Sequence, residues 1–77
     1  MNIDHLIKMA NEISSFWQGE VGEAAPSEVA THLKRYWEPR MRSQIITYLQ
    51  ERHGAGLNDA ALKAVQILAA QSPSAAP

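Results

Sequence analysis

The side chains able to do chemistry are few and scattered. The three histidines, His5, His32 and His53, share no metal-ligand spacing, and each falls on a different stretch of helical pattern. A metal site would need His or carboxylate partners brought together in space; surface or capping positions are the ordinary use of such residues, and His5, just before Leu6 and Ile7, sits at the edge of an apolar stripe. The eight Asp and Glu residues are spread along the chain, whereas acid–base catalysis needs two or more groups converging in a pocket. No serine lies in a nucleophile-elbow or triad context. Gly54-Ala55-Gly56 follows a helical pattern and reads as a helix exit, not a phosphate loop. The absence of cysteine excludes a disulfide framework, a thiol nucleophile, an iron–sulfur site and a cysteine-type zinc site together. These residues point to a chain with no catalytic residues and no cofactor of its own.

Recognition chemistry is concentrated in one place, His32 to Arg42 (HLKRYWEPRMR). Four of the seven basic residues lie between Lys34 and Arg42, with Tyr36 and Trp37 among them. Arginine offers a planar fork for carboxylates and phosphates, and Trp, Tyr and Arg dominate binding hot spots. The bland reading is that Leu33, Tyr36 and Trp37 are core and the charges are a wet helix face. Phe16, Trp17, Tyr36, Trp37 and Tyr48 are many large aromatics for a chain of 77 residues. Either the two tryptophans stack and close one end of the molecule, or part of this area is exposed as a partner surface.

The elements that must position these residues are all helical. Apolar residues recur at three- and four-residue steps almost throughout, and nothing alternates with period two. The pattern predicts an all-α fold, a compact small bundle of four short helices at about 3–18, 26–37, 39–53 and 59–70. In the first, Asn2 caps, Asp4 faces the helix dipole, and Ile3, Leu6, Ile7, Ala10, Ile13 and Trp17 make the stripe, widened by Met9 and Phe16. Gly19 to Ala25 reads as a loop, and Pro26 suits a first helical position. Val29, Ala30, Leu33, Tyr36 and Trp37 form the second buried face. Pro39 ends that helix and begins the next, forcing a sharp corner that would display Arg35 and Arg40 near one another. Met41, Ile45, Tyr48 and Leu49 face inward in the third, with Ile46 to one side, and Gly54 caps its end. Leu57 and Asn58 staple and cap a fourth helix, whose inward residues are Ala61, Leu62, Val65, Leu68 and Ala69. The chain thus divides into a single helical domain, 1–70, and a disordered polar tail, 71–77.

The net charge is −1, so no global field steers a partner, and the slightly acidic balance argues against nucleic acid. No apolar run reaches the ~18–20 residues of a membrane span. The start of the chain lacks the basic and apolar blocks of a secretion signal, so a cytoplasmic protein is expected. A domain of this size buries only about 60–65% of its unfolded surface and often leans on a partner.

Three blocks, His5–Phe16 (HLIKMANEISSF), His32–Arg42 (HLKRYWEPRMR) and Gly54–Val65 (GAGLNDAALKAV), resemble in order and spacing the delta subunit of the soluble, multisubunit NAD-dependent formate dehydrogenases. The most specific piece is the run Trp37, Glu38, Pro39, Arg40, Met41, Arg42, followed by His5–Asn11. The resemblance implies a non-catalytic accessory subunit. The family's enzyme oxidises formate at a molybdenum or tungsten bis-molybdopterin guanine dinucleotide centre, and electrons pass through iron–sulfur clusters to FMN and NAD in other subunits. The implied partners are the large alpha subunit and its beta and gamma companions, and the implied role is assembly, stability or cofactor insertion. The candidate partner-binding residues are Arg35, Tyr36, Trp37, Arg40, Met41 and Arg42, with Trp37 and Met41 as apolar anchors. A free-standing helical adaptor and a small nucleic-acid binder are the competing readings; a formate dehydrogenase gene neighbourhood would argue against the first, and salt-dependent DNA binding would favour the second.

Overall fold

The computed structural model describes residues 2–71, and every regular element among them is helical. The elements are α1 (Ile3–Val21), a 3₁₀ turn (Gly22–Ala24), α2 (Ala25–Tyr36), α3 (Pro39–Arg52) and α4 (Asp59–Gln71). Gln71, expected in the disordered tail, is instead the last residue of α4; the rest of that expected tail, 72–77, lies outside the described residues.

The first correction concerns the loop expected at Gly19–Ala25. Helical residues form three uninterrupted runs, 3–36, 39–52 and 59–71, rather than four helices separated by loops. Gly19 stays helical, because one interior glycine weakens a helix by only ~1 kcal/mol relative to alanine. The bend falls instead at Gly22, where φ is +58°. That conformation is cheap for glycine alone, and the Gly22 N–H closes α1 by donating to the Gln18 carbonyl. The 3₁₀ turn then leads directly into α2, with Pro26 in its first turn and Ala24 at the cap. The bend folds α2 back against α1.

The helix starts follow their local signals. Asn2 Oδ1 accepts the Asp4 N–H at 2.8 Å. Pro39 occupies the first turn of α3, where its missing N–H leaves nothing unpaired. Asn58 caps α4, its Oδ1 accepting the Ala61 N–H at 2.8 Å.

The core lies between all these helices. Leu6 and Ala10 come from α1, Val29, Ala30 and Leu33 from α2, Ile45 and Ile46 from α3, and Ala61, Ala64, Val65 and Leu68 from α4. The most extensive contact is between α2 and α4. Small side chains at Ala30, Ala61 and Ala64 let those two backbones approach closely. Three expectations about the buried faces are corrected, and one buried residue was not foreseen. Tyr36 is 69% exposed, because α2 ends there and Trp37, the next residue, turns its ring into the core. Phe16 lies on the solvent side of α1. Ile46 joins the core beside Ile45. Ser14, one turn beyond Ala10, is fully buried, and its Oγ has no hydrogen-bond partner.

The end of α3 also departs from expectation. The helix stops at Arg52, and His53 already adopts the left-handed conformation, with φ +58°, ahead of Gly54 at +73°. The positive φ is what calls for glycine at 54; a Cβ there would meet Leu62 Cδ1 at 2.5 Å, the far end of a side chain that can shift.

Candidate docking corner

The chain between α2 and α3 is two residues long, Trp37 and Glu38, both extended. Proline at 39 excludes helical geometry at Glu38, so the corner is sharp. A helix end leaves its last carbonyls unpaired, and here Arg42 supplies the missing donors. Its Nη1 donates to the Lys34 carbonyl at 2.8 Å and to the Trp37 carbonyl at 2.7 Å. A guanidinium against a helix C-terminus is favoured both by charge-assisted hydrogen bonding and by the helix dipole. Arg42 therefore reaches back across the corner from the first turn of α3 and buckles it to the last turn of α2.

The six candidate docking residues divide on this geometry. Trp37 is 5% exposed and belongs to the core. Met41 is half-buried and packs against that core. Arg42 is half-buried and committed to the two carbonyls. Arg35, Tyr36 and Arg40 are exposed. Tyr36 lies beside His32 one turn back, ring centroids 4.8 Å apart and planes tilted by 44°. Lys34 is exposed as well. Among the described residues the ion pair formed is Lys63–Asp59, so Lys34, Arg35 and Arg40 have no carboxylate partner within 4 Å. The corner is a rigid frame with its cationic heads turned to solvent.

The two tryptophans do not stack on one another. Trp17 packs edge-on with Phe16, ring centroids 5.4 Å apart, while Trp37 is held in the core. Alongside the corner, a shallow groove of about 600 Å³ runs between Ile3 and the outer face of α3, from Pro39 to Glu51.

A second polar cluster was missed in the sequence. Asn11, in the middle of α1, donates through Nδ2 to the Gly56 carbonyl at 2.9 Å and accepts the Asn58 N–H on Oδ1 at 2.8 Å. Asn58 returns a bond from its Nδ2 to the Asn11 carbonyl at 3.3 Å. The Tyr48 hydroxyl secures the same turn by donating to the Ala55 carbonyl at 2.8 Å. The available signal was an asparagine in a helix interior, where it is unfavourable unless its amide is used elsewhere. This cluster ties two of the three motif blocks together, so Asn11 and Asn58 serve the fold rather than a surface.

Among the described residues, no three His, Asp or Glu side chains come together as a metal site. No described helix is long and apolar enough to cross a membrane.

Fold and corner define a class: a small all-helical protein that holds a rigid, basic, partly aromatic edge on its surface. The sequence model of one family, the NADH-dependent formate dehydrogenase delta subunit FdsD, matches residues 5–65. That span covers most of the chain, including all three motif blocks, and the chain belongs to this family. No curated protein and no solved structure matches it.

Proposed function

We propose that this chain is a non-catalytic accessory subunit that docks on the large, molybdenum-bearing subunit of a cytoplasmic formate dehydrogenase through the α2–α3 corner. The observation that carries this reading is the division of the corner. Trp37 and Arg42 hold it from inside, while Lys34, Arg35, Tyr36 and Arg40 stand exposed, the three cations without a carboxylate partner among the described residues. A preorganised edge binds more tightly than a mobile one, because little freedom is lost on docking. Arg35 and Arg40 would pair with carboxylates on the large subunit, or meet the phosphates of bis-molybdopterin guanine dinucleotide while that subunit is loaded. The consequence would be assembly, stability or cofactor insertion. The iron–sulfur clusters, FMN and NAD would belong to the other subunits, including the beta and gamma chains.

Arg42 is unsuited to a test of docking, since its loss would loosen the corner itself. The discriminating variant is Arg35→Ala with Arg40→Ala. Truncating a buried hot spot weakens binding by ~2–4 kcal/mol. Recovery of the variant with the large subunit should fall at least about tenfold, with formate:NAD turnover falling in parallel. Its circular-dichroism melt should match the native chain. Normal assembly and turnover in the double variant would sink the proposal.

A further inference from the structure

The outer face of α3 carries a stripe with a base at one end and an acid at the other. Arg40, Gln44, Thr47 and Glu51 recur at steps of four, three and four residues, the seam spacing of two helices packed at a shallow angle. Ser43 and Tyr48 flank the seam and line the same groove. Ile45 and Ile46 point the opposite way, into the core.

We propose that two copies of this chain pair through this stripe, α3 against α3, antiparallel about a twofold axis. A twofold contact requires that residue i meet residue j of the neighbour while j meets i. The stripe meets that condition about a midpoint between Ile45 and Ile46. Arg40 falls opposite Glu51 of the neighbour, Ser43 opposite Tyr48, and Gln44 opposite Thr47. At 1.5 Å per residue the two charges on one helix stand about 16 Å apart, which places an ion pair at each end of the contact. Arg40 and Glu51 are exposed, and neither takes part in an ion pair among the described residues. The bulky Tyr48 would meet the small Ser43, and its ring is already fixed by the hydroxyl bond to Ala55. A foreign helix would have to bring a base and an acid eleven residues apart in the right order; a second copy carries them by construction.

A contact through one 14-residue helix falls short of the ~1,200–2,000 Å² typical of stable complexes. The pair therefore dissociates on dilution. Arg40 belongs to both the stripe and the docking corner, so pairing covers it, and the pair must open before the corner engages a larger partner. The pairing itself does not rest on the docking proposal.

The test is sedimentation equilibrium of the purified full-length chain over a wide concentration range, with folding checked by circular dichroism. The native chain should pass reversibly from monomer to dimer. Arg40→Glu alone and Glu51→Arg alone should each weaken self-association at least about tenfold, because both ends of the contact then juxtapose like charges. An equimolar mixture of the two variants should recover it, and so should the chain carrying both changes. A native chain that is monomeric throughout overturns the proposal, as do single variants that pair like the native chain or a mixture that does not recover. If the native chain is monomeric while either reversal abolishes capture by the large formate dehydrogenase subunit, the groove holds a partner helix and self-pairing is wrong.

Discussion

At the turn into α4, the polar atoms of Asn11 and Asn58 are bonded to one another and to the backbone around them. At the corner between α2 and α3, one cation is used in that way and three are not. Arg42 satisfies the carbonyls of Lys34 and Trp37, while Lys34, Arg35 and Arg40 remain in water. Both regions lie in motif blocks, and both join helix ends that need partners for their backbone groups. The difference is in what is left over. The asparagine lock directs its polar atoms to the chain itself. The corner meets its internal needs with one side chain and keeps an organised surplus on the outside.

The largest break in this comparison should come from the lock. Asn11→Ala strands the Asn58 N–H in a partly buried place and leaves the exposed Gly56 carbonyl to water. The penalty for such an orphaned group is ~1–3 kcal/mol. A domain of this size loses ~4–8 °C per kcal/mol, so thermal melting should fall by roughly 4–24 °C while the corner's binding behaviour survives in the folded fraction. An unchanged melt would show that the lock is ornamental. Arg42→Met keeps the stem and removes the buckle. Its expected loss is about 1 kcal/mol, reduced from the usual charged-bond figure because the group is half-exposed. The sharper signature is faster amide exchange at Trp37, whose N–H donates to Leu33 next to the loosened carbonyls; unchanged exchange there would mean that Pro39 alone holds the corner. The smallest effect has the opposite sign. Ser14 buries a hydroxyl without a partner three residues after Asn11, which has partners on both amide atoms. Ser14→Ala should raise the melting temperature by a few degrees, through relief of desolvation and better helix propensity, together about 0.5–1 kcal/mol. A lower melt would mean that the hydroxyl is satisfied in solution.

What the sequence disclosed were features decided within a few residues. Asn2, Pro39 and Asn58 mark helix starts because a cap acts over three or four positions. Leu6, Val29, Leu33, Ile45, Val65 and Leu68 are recognisable as core from spacing. The failures required knowledge of distant neighbours or of the exact residue where a helix ends. Tyr36 and Trp37 are adjacent aromatics, and which one enters the core depends on α2 stopping between them. Gly19 and Gly22 are both glycines, and only the backbone angle tells which one bends. Ser14 is polar and lies under neighbouring helices all the same. For the docking corner, the segment was evident from composition, but the opposite directions taken by Arg40 and Arg42 were not. Those two residues lie half a turn apart on α3, one toward water and one toward the end of α2.

The bonds that hold the two regions also differ in how far they reach along the chain. Arg42 joins residues five and eight positions away, whereas the Asn11 bonds span 45 and 47. Closing the longer loop carries the larger entropic penalty, so the corner can organise early in folding, while the lock must wait for α4 to arrive. Weakening Arg42 should then mainly slow folding, and weakening Asn11 should mainly speed unfolding. A nascent chain would carry its basic edge, already bent at Pro39, before its own core had closed.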